Sequence, residues 1–317
     1  MGTEQSNRRL VTKRLAYFFL RPSKLPQLSE RTELTDDIFF DQLPSVLDRP
    51  DDNLDLQIID PRFSDFRKSA LSGTTLNIEF EGPNELNFDG PKSSEAEAKR
   101  RIENYLLASL IVDPHFPMPY AGLIAVLDQN RICHSFRCID FPYISSDATL
   151  AWNAEVAGQV NLLYPRVQEV FATRRSGRLF TALKYYHQAI RCDIDQSIRF
   201  LGMMMAMEAV FSSGAKSEIT HQVSERSAFF LAGTPDQRVE TYDAMKSLYD
   251  LRSKIAHGTS VNPEKDDLKG SFKKLRGFLA DTLRRILQAP STFTLFNSDS
   301  SKDFSTAMKS LVFRGEV

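Results

Sequence analysis

An α+β chain is expected from this sequence: an N-terminal mixed α/β domain followed by an all-α helical bundle. Two observations predict that division. Before residue 150, short apolar runs with a two-residue period are broken by prolines and glycines, the signature of half-buried strands. From Glu155 onward the chain reads as helix after helix, with few glycines and recognisable caps. Residues 1–172 are therefore expected to form a mixed sensing or regulatory domain, 173–290 the bundle, and 291–317 a C-terminal tail with one short helix.

Each element has a local reason. Leu76, Ile78 and Phe80 alternate with Asn77 and Glu79, which gives a strand one apolar face. Pro83, Gly90 and Pro91 then interrupt the chain. Ser94 with Glu97 fits a capping box for a helix over 94–112, and Ile102, Leu106 and Ile111 supply its apolar side. Strands are expected at 121–128 and 131–141, joined by a tight turn at Gln129-Asn130. Helices follow at 155–172, 177–191, 193–212, 217–232, 235–257 and 263–288. Gly214 and Gly233 fall where a left-handed helix cap would sit, and Thr234-Pro235 and Asn262-Pro263 each set a capping side chain before a proline. Residues 174–177, Arg-Arg-Ser-Gly, read as a linker or hinge. No internal repeat is found.

Composition excludes several classes. The 317 residues are 42% hydrophobic and 26% charged, with a formal net charge of -1, which suits a chain with a sizeable core and not a disordered one. Three cysteines cannot all pair and fit a reducing compartment. No apolar run approaches the ~20 residues of a membrane helix, and the stretch 15–20 is short for a signal peptide, so a cytoplasmic protein without a membrane partner is expected. Residues 171–290 carry 19 Lys and Arg against 13 Asp and Glu, a modest basic excess that fits either a polyanionic partner or solvated helix faces.

Familiar constellations are absent. There is no Gly-rich phosphate loop, nucleophile elbow or His-Glu-x-x-His zinc motif. Cys133, His134 and Cys138 lie on a predicted strand, where neighbours point to opposite faces, and no second cluster completes a metal site. No metal or cofactor is expected. His115 reads as a loop histidine, Trp152 as a packing anchor, and Met203, Met204 and Met205 as core filler.

Two charges fall on apolar seams. In the helix expected at 193–212, Ile194, Ile198, Leu201 and Met205 step by four, three and four as a core stripe whose next member is Glu208. In the helix expected at 217–232, Ile219, Val223 and Phe230 define a stripe that Arg226 interrupts. A charge on such a seam is expected to be paired, so Glu208 should meet Arg226 or Arg252 between helices, unless each charge reaches solvent at a frayed end. Downstream, Tyr242, Met245, Tyr249 and Ile255 make the helix at 235–257 amphipathic, with Arg252 at the edge of its apolar face. His257 precedes Gly258 and should be the last helical or cap residue, where an imidazole also suits the helix dipole. Five residues turn a helix by ~140°, so Arg252 and His257 do not share a face of one regular helix. A distorted helix end, or a second copy, could bring them together.

The run 251–258, Leu-Arg-Ser-Lys-Ile-Ala-His-Gly, carries Arg-x4-His and resembles the motif of the HEPN superfamily. Met-Glu-Ala-Val at 207–210, Glu-Arg-Ser-Ala at 225–228 and Ser-Leu-Tyr at 247–249 are similar, in order and spacing, to the Apea-like branch of that superfamily. The stretch 104–110 resembles a segment that precedes such domains.

What the resemblance implies is a metal-independent endoribonuclease working as a homodimer through the HEPN helices, in phage defence or a toxin-like response. Arg252 and His257 from both copies would be the catalytic residues, with Ser253, Glu208 and Arg226 supporting them. The 2′-hydroxyl of RNA would attack its adjacent phosphate, an imidazole moving the protons near neutral pH and a guanidinium fork holding the phosphate charge. The family often has Asn, Asp or His after the arginine, where this chain has Ser253. Lys269, Lys273 and Arg276 recur at steps of four and three and are expected either to contact single-stranded or loop RNA, with Arg284 and Arg285 beyond them, or to form a solvated face. The N-terminal domain would answer a protein or nucleotide trigger. The alternatives are a non-catalytic HEPN dimerisation or partner-binding module, in which His257 only caps its helix, and an unrelated helical ligand-binding protein.

Overall fold

The computed structural model describes residues 12–19, 32–35, 38–42, 74–82, 94–116, 121–127, 133–140, 154–173, 176–191, 194–212, 218–258, 267–298 and 300–314, the strands chiefly as backbone. The chain forms two compact units: Met1–Glu103 with Pro117–Asn153, and Asn104–Phe116 with Ala154–Val317.

In the first unit the backbone runs as β1 (Thr12–Phe19), β2 (Thr32–Glu33), β3 (Ile38–Gln42), β4 (Thr74–Gly82), β5 (Ala121–Leu127) and β6 (Cys133–Asp140). They pair antiparallel in the order β2-β3-β4-β1-β5-β6. In the register, Ala16 lies opposite Ile78 on one side and Ile124 on the other. The strands expected around 76–80, 121–128 and 131–141 coincide with β4, β5 and β6. The turn at Gln129-Asn130, the breakers Pro83, Gly90 and Pro91, and Trp152 lie outside the described residues, as do the side chains of Ser94, Cys133, His134 and Cys138.

The second unit is built from α1 (Ser94–Val112, from Asn104 on), α2 (Ala154–Thr173), α3 (Arg178–Ala189), α4 (Gln196–Phe211), α5 (Ile219–Leu231), α6 (Pro235–Ala256), α7 (Leu268–Gln288), α8 (Pro290–Asn297) and α9 (Ser301–Arg314). Every regular element of this body is a helix, which corrects the expected fold class. The packed core of this unit is all-α, with no described strand in it, and it takes in residues 104–116 and 154–172, which were expected to belong to a mixed α+β N-terminal domain. The physical reason is visible in α1, expected to be apolar on one side only. Residues 104–113 are all buried, and a helix closed on every side belongs inside a helical bundle. Tyr105 meets Tyr164 of α2 edge-on at 5.4 Å, Ser109 returns its hydroxyl to the Tyr105 carbonyl at 2.9 Å, and Tyr186 of α3 donates to the Leu110 carbonyl at 3.2 Å.

The tail is a second difference. Pro290–Asn297 and Ser301–Arg314 form two helices, and Phe293, Phe296, Phe304, Met308 and Leu311 are buried. Phe296 stacks edge-on against Phe211, Phe230 and Phe304, tying α8 and α9 to α4 and α5.

Local punctuation explains the helix ends. Thr234 accepts from the Gln237 amide at 3.3 Å and Gln237 returns a bond to the Thr234 amide at 3.2 Å, closing the capping box that opens α6 at Pro235. Asp195 caps α4 through the Ser197 amide, and Asp267 caps α7 through the Gly270 amide, both at 2.8 Å. Gly233 does not act as the left-handed cap of α5, which ends instead on an extended Ala232. Gly214, Asn262, Pro263, Arg174 and Arg175 lie outside the described residues.

The expected core stripe of α4 is also reversed. Its buried residues are Phe200, Met203, Met204, Ala206, Met207, Val210 and Phe211, whereas Ile198 is 60% exposed and Met205 39%. Unbranched methionines fill the irregular interior, whereas of the expected stripe Ile194 precedes the helix, Leu201 is half-buried, and Ile198 and Met205 face outward.

Candidate functional site

The charged residue on that expected stripe has a partner. Arg252 of α6 brings Nε to 3.7 Å from Glu208 Oε1 of α4, with the guanidinium side chain 37% exposed and the carboxylate side chain 21%. Of the two pairings open to Glu208, this is the one formed. α6 is held there by Met245, Leu248 and Tyr249, all buried. Burial raises the Glu208 pKa, while Arg252 and the Tyr249 hydroxyl pull it back down. Tyr249, one turn before Arg252, is itself pushed upward by burial and by the Glu208 charge. Its buried hydroxyl faces the carboxylate without completing a hydrogen bond of good geometry.

Arg226 has a different partner. It donates to the Phe211 carbonyl, and Arg178 donates to the Ser212 carbonyl, so two guanidinium groups close the C-terminal end of α4. Arg178 also lies 3.7 Å from the centroid of the Phe304 ring. Burial lowers the pKa of both arginines, and Arg226 lowers that of Arg178 further. The device recurs. Arg199 donates to Ala189 at the end of α3 at 3.0 Å, Arg285 to Phe230 at the end of α5 at 2.7 Å, and Arg166 to Leu287 at the end of α7. Each cation satisfies an orphan carbonyl at the negative end of a helix dipole. Much of the basic excess of residues 171–290 is spent inside the fold in this way, which removes Arg285 from the expected RNA-facing set. Arg284 pairs with Asp281 at 2.6 Å.

His257 is the C-cap of α6. Its amide donates to the Ser253 carbonyl at 3.1 Å, and its side chain is exposed. Gly258 follows with a φ of 66° and donates to the Ile255 carbonyl at 3.1 Å, the left-handed residue that ends the helix. Ser253 is exposed beside it. Among the described residues, no side-chain hydrogen bond joins Arg252 to His257 within the chain.

On α7, Lys269 and Lys273 are exposed, whereas Arg276 is half-buried. Arg276 Nη2 lies 3.1 Å from His115 Nδ1, in the turn that follows α1. The His115 amide donates to Asp113 Oδ1 at 2.9 Å. Arg276 is thus a packing residue at this position and does not continue the face of the two lysines. Sequence reasoning missed Tyr249 as a neighbour of Glu208, the helix-closing role of Arg178 and this Arg276–His115 contact. Only the first left a readable signal, a tyrosine three residues before the motif arginine. His221 of α5, 3.1 Å from the Tyr242 hydroxyl of α6, was also missed.

Chemically, the end of α6 offers a fixed cation steered by a carboxylate and an exposed imidazole five residues on. Among the described residues, no group of three or more metal-ligating side chains occurs, and no helix is long and apolar enough to cross a membrane. No family model, curated protein or solved structure matches the chain.

Proposed function

We propose that this chain is a metal-independent endoribonuclease of HEPN type, acting as a homodimer with Arg252 and His257 of both copies lining one cleft. One observation carries the reading. Glu208 holds Arg252 at the edge of α4 with over a third of its side chain exposed, and the helix then ends on an exposed His257. The arginine is thereby oriented without being consumed.

In the reaction, the 2′-oxygen of RNA bonds to the neighbouring phosphorus, the bond to the 5′-oxygen breaks, and a 2′,3′-cyclic phosphate and a 5′-hydroxyl result. One His257 takes the 2′-hydroxyl proton, and the His257 of the other copy gives a proton to the departing oxygen. Arg252 offers its planar fork to the non-bridging oxygens as charge grows on them. Ser253 orients the phosphate, and Lys269 and Lys273 contact flanking phosphates. The setting, phage defence or a toxin-like response, follows by analogy with the family, and the first unit would carry the trigger.

The test is cleavage of single-stranded RNA by the purified full chain in the presence of a chelator. Cyclic phosphate ends are expected. Arg252→Ala and His257→Ala should each remove cleavage and leave the fold intact. Equal cleavage by the wild type and the double variant identifies a contaminant and overturns the proposal. Substitutions that alter assembly alone, in a protein without cleavage, favour the partner-binding module.

A further inference from the structure

We propose that Tyr242 is a phosphoryl-acceptor site: its hydroxyl is the nucleophile, His221 and Glu225 activate it, and Arg238 and Lys246 hold the phosphate once it is attached. The site lies across α5 and α6. It stands apart from the ribonuclease reading, none of whose residues it uses.

Along α5, His221, Glu225 and Phe229 recur every four residues and share one face; along α6, Arg238, Tyr242 and Lys246 do the same. The two faces meet in antiparallel order, His221 against Tyr242 near the start of α5 and Phe229 against Arg238 near its end. His221 Nδ1 lies 3.1 Å from the Tyr242 hydroxyl, and the two rings stand edge-on at 6.0 Å. On the other side of the imidazole, Nε2 is 4.0 Å from Glu225 Oε1. The His221 side chain is 54% exposed and that of Glu225 34%, Tyr242 is half-buried, and Lys246 is exposed. The cluster therefore faces solvent. The Arg238 guanidinium lies 4.7 Å from the centroid of the Phe229 ring.

An ionised carboxylate only accepts, so the imidazole proton belongs on Nε2 beside Glu225, and Nδ1 is left to accept from the Tyr242 O–H. Nucleophile, base and orienting acid then stand in the order by which a weak hydroxyl is activated. In the step, Tyr242 Oη bonds to the γ-phosphorus of a nucleoside triphosphate held by a transferase. The bond from that phosphorus to the bridging oxygen breaks, and the nucleoside diphosphate leaves. The phenol proton passes to His221 Nδ1, and Glu225 stabilises the imidazolium. What selects phosphorus over other electrophiles is the charge waiting for the product, since a phosphotyrosine carries about −1.5 to −2 at neutral pH. One turn before Tyr242 stands Arg238, whose Nε has no hydrogen-bond partner among the described residues, and one turn after it stands Lys246. Glu225 is the opposing charge, and the imidazolium separates it from the phosphate.

Two measurements on the full chain test this. Diisopropyl fluorophosphate probes the nucleophile: its phosphorus bonds to Tyr242 Oη, fluoride leaves, and peptide mass spectrometry locates the label. Tyr242 is expected to be labelled, and His221→Ala should slow that labelling by about tenfold or more. Added imidazole should then restore part of the rate, which a merely structural histidine would not allow. Glu225→Gln should slow it less. Phosphotyrosine placed at position 242 by genetic code expansion probes the phosphate. Its second ionisation, read by ³¹P NMR, should fall below the ordinary value of ~6, and Arg238→Gln should bring it back. Labelling as fast in His221→Ala as in the wild type, or labelling that spares Tyr242 while marking other tyrosines, overturns the activation. A phosphate that titrates at ~6 or above, with Glu225 prevailing over the two cations, overturns the choice of phosphorus. Neither readout uses RNA cleavage, so the ribonuclease reading can fail while this site stands, and the reverse.

Discussion

Arg226 and Arg252 sit on adjacent helices, one interrupting an apolar stripe and the other at the edge of an apolar face, yet the surroundings of the two differ in kind. Around Arg226, the guanidinium is spent on a backbone carbonyl, with Arg178 beside it on the next one. Around Arg252, the partner is a carboxylate at 3.7 Å, and the arginine keeps over a third of its side chain exposed. The first arrangement closes a helix, and the second aims a cation. A charge inside an apolar pattern is therefore not in itself a functional signal; what decides is whether its partner leaves donors over.

The sharpest way to break this comparison is to truncate both arginines. Arg252→Ala should lower RNA cleavage by ~10²–10⁴-fold, the range lost when a catalytic charge or proton carrier is removed. Its effect on stability should be under about 1 kcal/mol, because a half-exposed ion pair contributes little. Arg226→Ala should do the opposite. Losing a charged hydrogen bond and orphaning the Phe211 carbonyl should cost about 1.5–3 kcal/mol in urea unfolding, with cleavage per folded molecule retained. Equal stability losses would dissolve the distinction.

Gly258 sharpens the Arg252 side at smaller amplitude. With φ at 66° and open space where a Cβ would stand, Gly258→Ala meets only the backbone penalty of the left-handed region, about 1–2 kcal/mol. Denaturant unfolding measures it. If the glycine merely ends the helix, Gly258→Asn should recover most of that loss, since asparagine tolerates the conformation.

Much of the helical unit was legible. Long periodic segments and the Thr234-Pro235 cap placed α2 to α7 within a few residues, because helix periodicity and caps are local properties. The misreadings share a cause, which is that burial is a tertiary property. Ile198 and Met205 looked like core because they are apolar and regularly spaced, whereas Met203 and Met207 took the inside. The helix at 94–112 looked one-sided because only its Ile102, Leu106 and Ile111 positions were weighed, although Asn104 and Ser109 are buried too. The helix was accordingly assigned to a mixed domain over residues 1–172, whereas from Asn104 on it belongs to the all-α unit. At the site, the candidacy of Arg252 and His257 came from the resemblance, and the choice of partner for Glu208 could come only from three-dimensional proximity. Arg276, grouped with Lys269 and Lys273 by spacing, turned inward because a turn 161 residues away presents an imidazole to it.

That contact supplies the smallest effect and an intermediate case between the two arginines. Arginine can only donate, so His115 must accept at Nδ1 and carry its proton on Nε2. Burial, first, and then Arg276 and Lys273 lower the His115 pKa, against the pull of Asp113 in the other direction. A histidine whose folded pKa lies below the unfolded value of ~6.5 binds protons more readily when unfolded. Its contribution is therefore complete above that value and is lost as the pH falls below it toward the folded pKa. Urea unfolding of the wild type and of His115→Gln at pH 7.5 and 5.5 should show the wild type losing more stability on acidification, with the difference within about 1 kcal/mol, the size of one hydrogen bond. Parallel losses in the two proteins would mean that Arg276 is held by its aliphatic packing and that the imidazole is incidental, which would move Arg276 back to the side of the exposed lysines.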